Sequence, residues 1–67
     1  LNIMINFKNL GKPFHVWQII RENKEFKTSM QKATCFEDVL PILNKFGEYS
    51  DEQLAYLKSE IESRLHR

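Results

Sequence analysis

The side chains in this sequence best suited to chemistry are one cysteine, Cys35, two histidines, His15 and His66, and two adjacent acid pairs, Glu37-Asp38 and Asp51-Glu52. A thiol beside an imidazole makes a nucleophile and its base, paired carboxylates exchange protons, and cysteine with histidine holds zinc. The spacing speaks against each use. No third group orients Cys35 toward either histidine, and a solitary cysteine near a helix start reads as a small buried residue. No second thiolate or paired-histidine spacing completes a zinc site, and one cysteine cannot close an internal disulfide. Both acid pairs fall where helices begin, so the helix dipole accounts for them. His15 reads as a surface or edge residue, and His66 as a terminal one that complements a helix dipole. The two glycines are too few to build a nucleophile elbow, a phosphate loop or a dinucleotide fingerprint. The expectation is a protein that is not an enzyme, with no catalytic residue, cofactor or metal.

What remains is the chemistry of recognition. Eight aromatics, five Phe, two Tyr and one Trp, accompany a 42% hydrophobic content. The candidate partner-binding residues are Ile3, Ile5 and Phe7 near the N-terminus, Phe14 and Trp17 in a first helix, and Phe26 and Met30 in a second. A lone Trp is either the centre of a small core or an exposed anchor, and Trp17 carries both readings. Ten Lys and Arg against nine Asp and Glu give a net charge of +1, with the signs interleaved, so no basic block invites nucleic acid directly. Apolar runs such as Val39 to Leu43 fall far short of the roughly 20 residues of a membrane span, and no basic-then-apolar leader opens the sequence. These features point to the cytoplasm and to another protein as the partner, with no membrane and no direct nucleic acid.

The elements that must position these residues read as all-α. Three to four short helices over residues 11–67 form one domain behind an extended N-terminal arm, residues 1–10, and a chain this short buries only about 60% of its unfolded surface. In the arm, apolar side chains stand at Leu1, Ile3, Ile5 and Phe7, the period of a strand. Two readings stand for it: an arm laid across the helices, or a strand pairing with a copy of itself in a homodimer. Pro13 suits a helix start, and Phe14, Val16, Trp17, Ile19 and Ile20 make its apolar surface broad. Asn23 can cap a second helix of about ten residues carrying Phe26, Met30 and Ala33. Thr34 and Glu37 have capping-box spacing. Pro41 falls better in a first turn capped by Asp38, so a tight turn at 34–37 and a helix from about 38 to the stop at Gly47 are expected. Ser50 with Gln53 forms a second capping box, Tyr49 stands where it can staple onto Leu54, and Leu54, Leu57, Ile61 and Leu65 form one stripe. The expected core is Trp17, Ile20, Phe26, Met30, Val39, Leu43, Phe46, Leu54, Leu57 and Ile61.

Asn23, Phe26, Met30, Ala33-Thr34, Glu37-Asp38-Val39 and Gly47, followed by Ser50 and Leu54, stand in a spacing that resembles the leader domain of nitrogen-fixation-type leader peptides. These are the helical front halves of precursors to ribosomally made, enzymatically modified peptide natural products. The resemblance implies a recognition domain grasped by a modifying enzyme or protease through residues 23–47. Over the last segment alone, Ser50-Asp51, Leu54-Ala55, Ser59 and Arg64-Leu65 are similar to the last helix of the Hha family, small nucleoid-associated regulators. That similarity implies a transcription modulator acting through a protein partner.

Overall fold

A computed structural model of the chain describes residues 5–65. Leu1, Ile3 and His66 lie outside the described residues, so the alternating arm is seen only from Ile5 onward. The described residues build four α-helices, two turns of 3-10 helix and a two-residue strand pair.

The plainest signal in the sequence produces the longest helix, α4 (Asp51–Leu65). Ser50 and Gln53 cap it reciprocally: the Gln53 backbone N–H donates to Ser50 Oγ at 3.1 Å, and the Ser50 backbone N–H donates to Gln53 Oε1 at 2.9 Å. Leu57 and Ile61 are fully buried along the apolar stripe, with Leu54 and Leu65 packed at its edges. Helix α1 (Pro13–Arg21) opens on proline, whose missing donor has no intrahelical partner to lose, and buries Val16, Trp17 and Ile20 against α4. A tight turn follows, in which the Asn23 N–H donates to the Ile20 carbonyl at 3.0 Å. The Asn23 side chain then accepts from the Phe26 N–H at 3.2 Å and caps α2 (Lys24–Lys32), as its residue type predicts.

The start of the third helix differs from the capping-box expectation. Residues Phe36–Asp38 form a 3-10 turn, and α3 runs Leu40–Phe46 with Pro41 in its first turn. Neither expected cap closes it: Glu37 does not return to Thr34, and the N-cap position is Val39 rather than Asp38, with no side-chain bond. The Asp38 carboxylate does the holding, accepting from the Thr34 N–H at 2.9 Å and from Thr34 Oγ1 at 3.0 Å. These bonds, the backbone one foremost, keep the Asp38 carboxyl below the usual carboxylate range. A carboxyl whose folded-state pKa is depressed stabilises above its ordinary value and loses that contribution as pH falls through the folded value. Asp38→Asn should therefore flatten the acid side of the stability profile: urea midpoints of the native chain should decline from about pH 4 downward more steeply than those of the variant. Parallel profiles would show that Asp38 does not couple to folding.

The N-terminal segment has a partner inside the chain. Strand β1 (Ile5–Asn6) pairs in parallel with β2 (Gly47–Glu48), Ile5 opposite Gly47, and Phe7–Leu10 then turn into 3-10 helix rather than staying extended to residue 10. Phe7 is 1% exposed, which corrects its reading as a partner-binding residue: it is core. Its ring stacks on Tyr49 with centroids 5.0 Å apart and planes within 6°. The Tyr49 hydroxyl donates to the Leu43 carbonyl at 2.6 Å, so this ring joins the N-terminal segment to α3. Burial pushes the Tyr49 hydroxyl above its ordinary pKa and keeps the donor protonated. Gln53, also 1% exposed, donates through its side-chain amide to the Phe7 carbonyl at 2.7 Å and to the Gly11 carbonyl at 3.4 Å. One side chain thus caps α4 and satisfies a buried backbone carbonyl, which would otherwise cost about 1–3 kcal/mol.

Candidate functional site

Three helices leave a groove of about 480 Å³ between them. From α1 come Trp17 and Arg21, one turn apart on one flank. From α2 come Phe26, Lys27, Met30 and Gln31, the i, i+1, i+4, i+5 pattern of a single helix face. Ser63 and Arg64 close it from the last turn of α4. The local reasons are the short α1–α2 turn and the length of α2. Held by Asn23, α2 packs on α1 and α3 and buries only Phe26 fully, so Met30, one turn on along the same face, stays partly open. Trp17 and Phe26 meet edge to face, centroids 5.9 Å apart and planes at 83°, and form the floor.

The lining is apolar at the floor and basic at the rim. Arg21, Lys27 and Arg64 all border the groove, and no acid does. The Arg64 guanidinium lies 4.7 Å from the Trp17 ring centre, donates to the Glu60 carbonyl at 3.0 Å and sits 3.6 Å from the Glu60 carboxylate. The i, i+4 spacing of Glu60 and Arg64 accounts for their pairing, and the crossing of the helices brings the cation over Trp17. Lys27 faces Glu22 at 3.7 Å with both side chains more than half exposed, a geometry worth at most about 1 kcal/mol. Among the described residues no ion pair engages Arg21.

Comparison with protein-family models, with curated proteins and with solved structures matches none of them.

Of the candidate residues, the fold brings Trp17, Phe26 and Met30 together in this groove. Trp17 and Phe26 are core, each 2% exposed, so the core reading of Trp17 is the one the fold supports and neither ring is an exposed anchor; they back the groove, and Met30 is the apolar candidate left partly open in it. Phe14 is 50% exposed, one turn before Trp17 on α1, and lies outside the groove's lining. Ile5, exposed on β1, stands apart on the strand pair, Phe7 is buried, and Ile3 lies outside the described residues. Cys35 is exposed, which corrects its reading as a small buried residue, and His15 is on the surface, facing the Phe14 ring at 6.4 Å. Among the described residues no cluster of three or more His, Cys, Asp or Glu is placed to hold a metal, and no helix is long and apolar enough to cross a membrane.

The basic half of the site, Arg21, Lys27 and Arg64, lies outside the residues expected from the sequence. Arg21 four residues after Trp17, and Lys27 and Gln31 four residues apart, carried a legible signal, since a spacing of four shares a helix face; the Lys27–Gln31 face lies beside that of Phe26 and Met30. Ser63 and Arg64 carried none, because only the crossing of α4 over α1 brings them there.

Proposed function

We propose that the chain is a small, non-catalytic protein-interaction domain that holds its partner in the groove over Trp17, Phe26 and Met30. The observation that supports this reading is the convergence, on one concave surface, of three apolar candidate residues and a rim of exposed cations. Concave sites with an apolar floor and a few placed polar groups are the usual form of a binding site, and aromatic residues with Arg carry most of the energy at protein interfaces. The resemblance to leader domains adds a class of partner, a peptide-maturation enzyme or protease: Phe26 and Met30, two of the residues that carry it, line the groove. The regulator reading shares the same architecture and would use the exposed face of α4. A gene neighbourhood containing a maturation enzyme and a Cys/Ser/Thr-rich peptide favours the first, and a regulatory, phage-like or plasmid setting the second.

A photoactivatable phenylalanine analogue in place of Gln31, an exposed residue of the lining, should cross-link the partner in the source cell. The same probe in place of Ile19, exposed on the other side of the α1 stripe, should not. Met30→Glu should abolish the Gln31 cross-link with the far-ultraviolet circular dichroism unchanged. A cross-link that survives Met30→Glu places the interface elsewhere and ends this reading. Self-association through the N-terminal strand would have to use Ile5 and the residues before it, since Phe7 is enclosed in the core.

A further inference from the structure

Resting on the reading of the groove as a docking site, we infer that its occupant is a partner peptide segment in which a bulky apolar side chain is flanked, within about one helical turn, by carboxylates. The apolar half follows from the floor of Trp17, Phe26 and Met30, under a hollow of about 480 Å³ that has room for an inserted side chain. The acidic half follows from charge. The chain's net charge is only +1, yet all three charged residues bordering this groove are basic. Electrostatic complementarity of this kind selects partners and speeds encounter. Two features make the rim ready for carboxylates. Lys27 and its Glu22 neighbour are both exposed, so the lysine exchanges partners at little cost, and no ion pair among the described residues engages Arg21. Arg64 acts differently: stacked over Trp17 and tied to Glu60, its guanidinium is held in one orientation, a preorganised wall rather than a loose cation.

The same chemistry fits the other anionic macromolecules less well. A nucleic acid site gathers many phosphate contacts along a basic stripe, whereas here three cations surround an apolar hollow in a chain of near-zero net charge. Binding at an anionic membrane surface inserts protruding apolar side chains; in this concave floor, with Trp17 and Phe26 each 2% exposed, none protrudes, and the exposed Phe14 lies outside the lining.

The test is selection without a chosen ligand. A random library of peptides about 12 residues long is displayed and panned against the full chain, against Met30→Glu, and against the double charge reversal Arg21→Glu with Lys27→Glu. The reversal changes only exposed side chains, so the fold should survive it, which circular dichroism checks. The native chain should recover peptides enriched in Asp and Glu within four positions of Leu, Phe, Trp or Met, lost on Met30→Glu. The reversal should weaken binding of an acidic winner by about tenfold or more, and should itself recover basic peptides with the same apolar anchor. Groove-dependent peptides without acidic bias overturn this inference and leave the docking site standing; peptides indifferent to Met30→Glu, or none recovered, overturn it as well and count against the groove itself. Co-sedimentation with phosphatidylcholine vesicles containing phosphatidylserine, weakened by the reversal, would replace the peptide with a membrane surface.

Discussion

Phe7→Ala should cost about 4 kcal/mol of folding stability, the usual range for removing a buried phenylalanine. Native domains have only about 5–15 kcal/mol in total, and one of this length belongs at the low end, so the variant should keep only about 1 kcal/mol and be marginally folded. The size of the effect comes from what the ring joins: it stacks on Tyr49, whose hydroxyl holds the Leu43 carbonyl, while the Phe7 carbonyl is held by Gln53 of α4. Removing it therefore loosens α3 and α4 together. Ile5→Ala, two residues earlier at 45% exposure, should cost less than about 1 kcal/mol. Urea melts of both variants separate the possibilities. If Ile5→Ala proved as costly as Phe7→Ala, the strand pairing and not the ring would anchor the N-terminal segment. A chain shortened to begin at Asn9 loses both, and is expected to report loss of folding rather than loss of self-association.

That prediction rests on a residue whose role was not legible from its neighbours. Local grammar was readable wherever the physics was local: Asn23 and Ser50 cap helices through atoms three residues away, and both do so in the fold. Of the expected core, Trp17, Ile20, Phe26, Val39, Leu43, Leu57 and Ile61 are buried, while Met30, Phe46 and Leu54 pack at its edge. Phe7, Val16, Phe36 and Tyr49 are core residues that the sequence did not assign, and two of them are explained by one long-range event, the return of the N-terminus to Gly47. Alternation at residues 1 to 7 signalled an extended segment correctly at Ile5 and Asn6. It gave no register and no partner, because a parallel pairing across some forty residues leaves no local mark.

Gln53 shows the same boundary inside one side chain. Its oxygen meets Ser50 and was predictable from spacing; its nitrogen meets the Phe7 and Gly11 carbonyls and was not. The candidate site divides in the same way. Its α1 and α2 residues follow from helical periodicity, and its α4 wall depends on how the helices cross.

Gly47→Ala is the second substitution expected to be severe, at about 3 kcal/mol, and its reason is also long-range. A glycine closing a helix ordinarily supplies a positive φ, the ground on which Gly47 was expected as a stop. Here its φ is 170°, extended backbone open to any residue, so the backbone angle imposes no requirement. Space does. A Cβ at Gly47 would fall onto the Ile5 carbonyl oxygen and within 2.9 Å of both the Ile5 carbonyl carbon and Phe7 Cδ2. Backbone cannot step aside as a flexible side chain can, so the β1–β2 pair must part and take the Phe7 ring with it. Overpacking alone typically costs about 1–3 kcal/mol, and the lost pairing adds to it. Gly11 supplies the contrast: its φ is 76° with nothing within 4 Å of an added Cβ, so Gly11→Ala should cost about 1 kcal/mol from conformation alone. At roughly 4–8 °C per kcal/mol for a domain of this size, melting temperatures should separate the two alanines clearly. A double variant identifies the mechanism. With Phe7→Ala already made, the N-terminal segment is free to move away from residue 47, so Gly47→Ala should cost at least about 1 kcal/mol less than it does alone, measured with an osmolyte present to keep the weakened chain folded. Full additivity would mean that Gly47 acts on α3 alone and that the close approach of Ile5 is not what requires a glycine there.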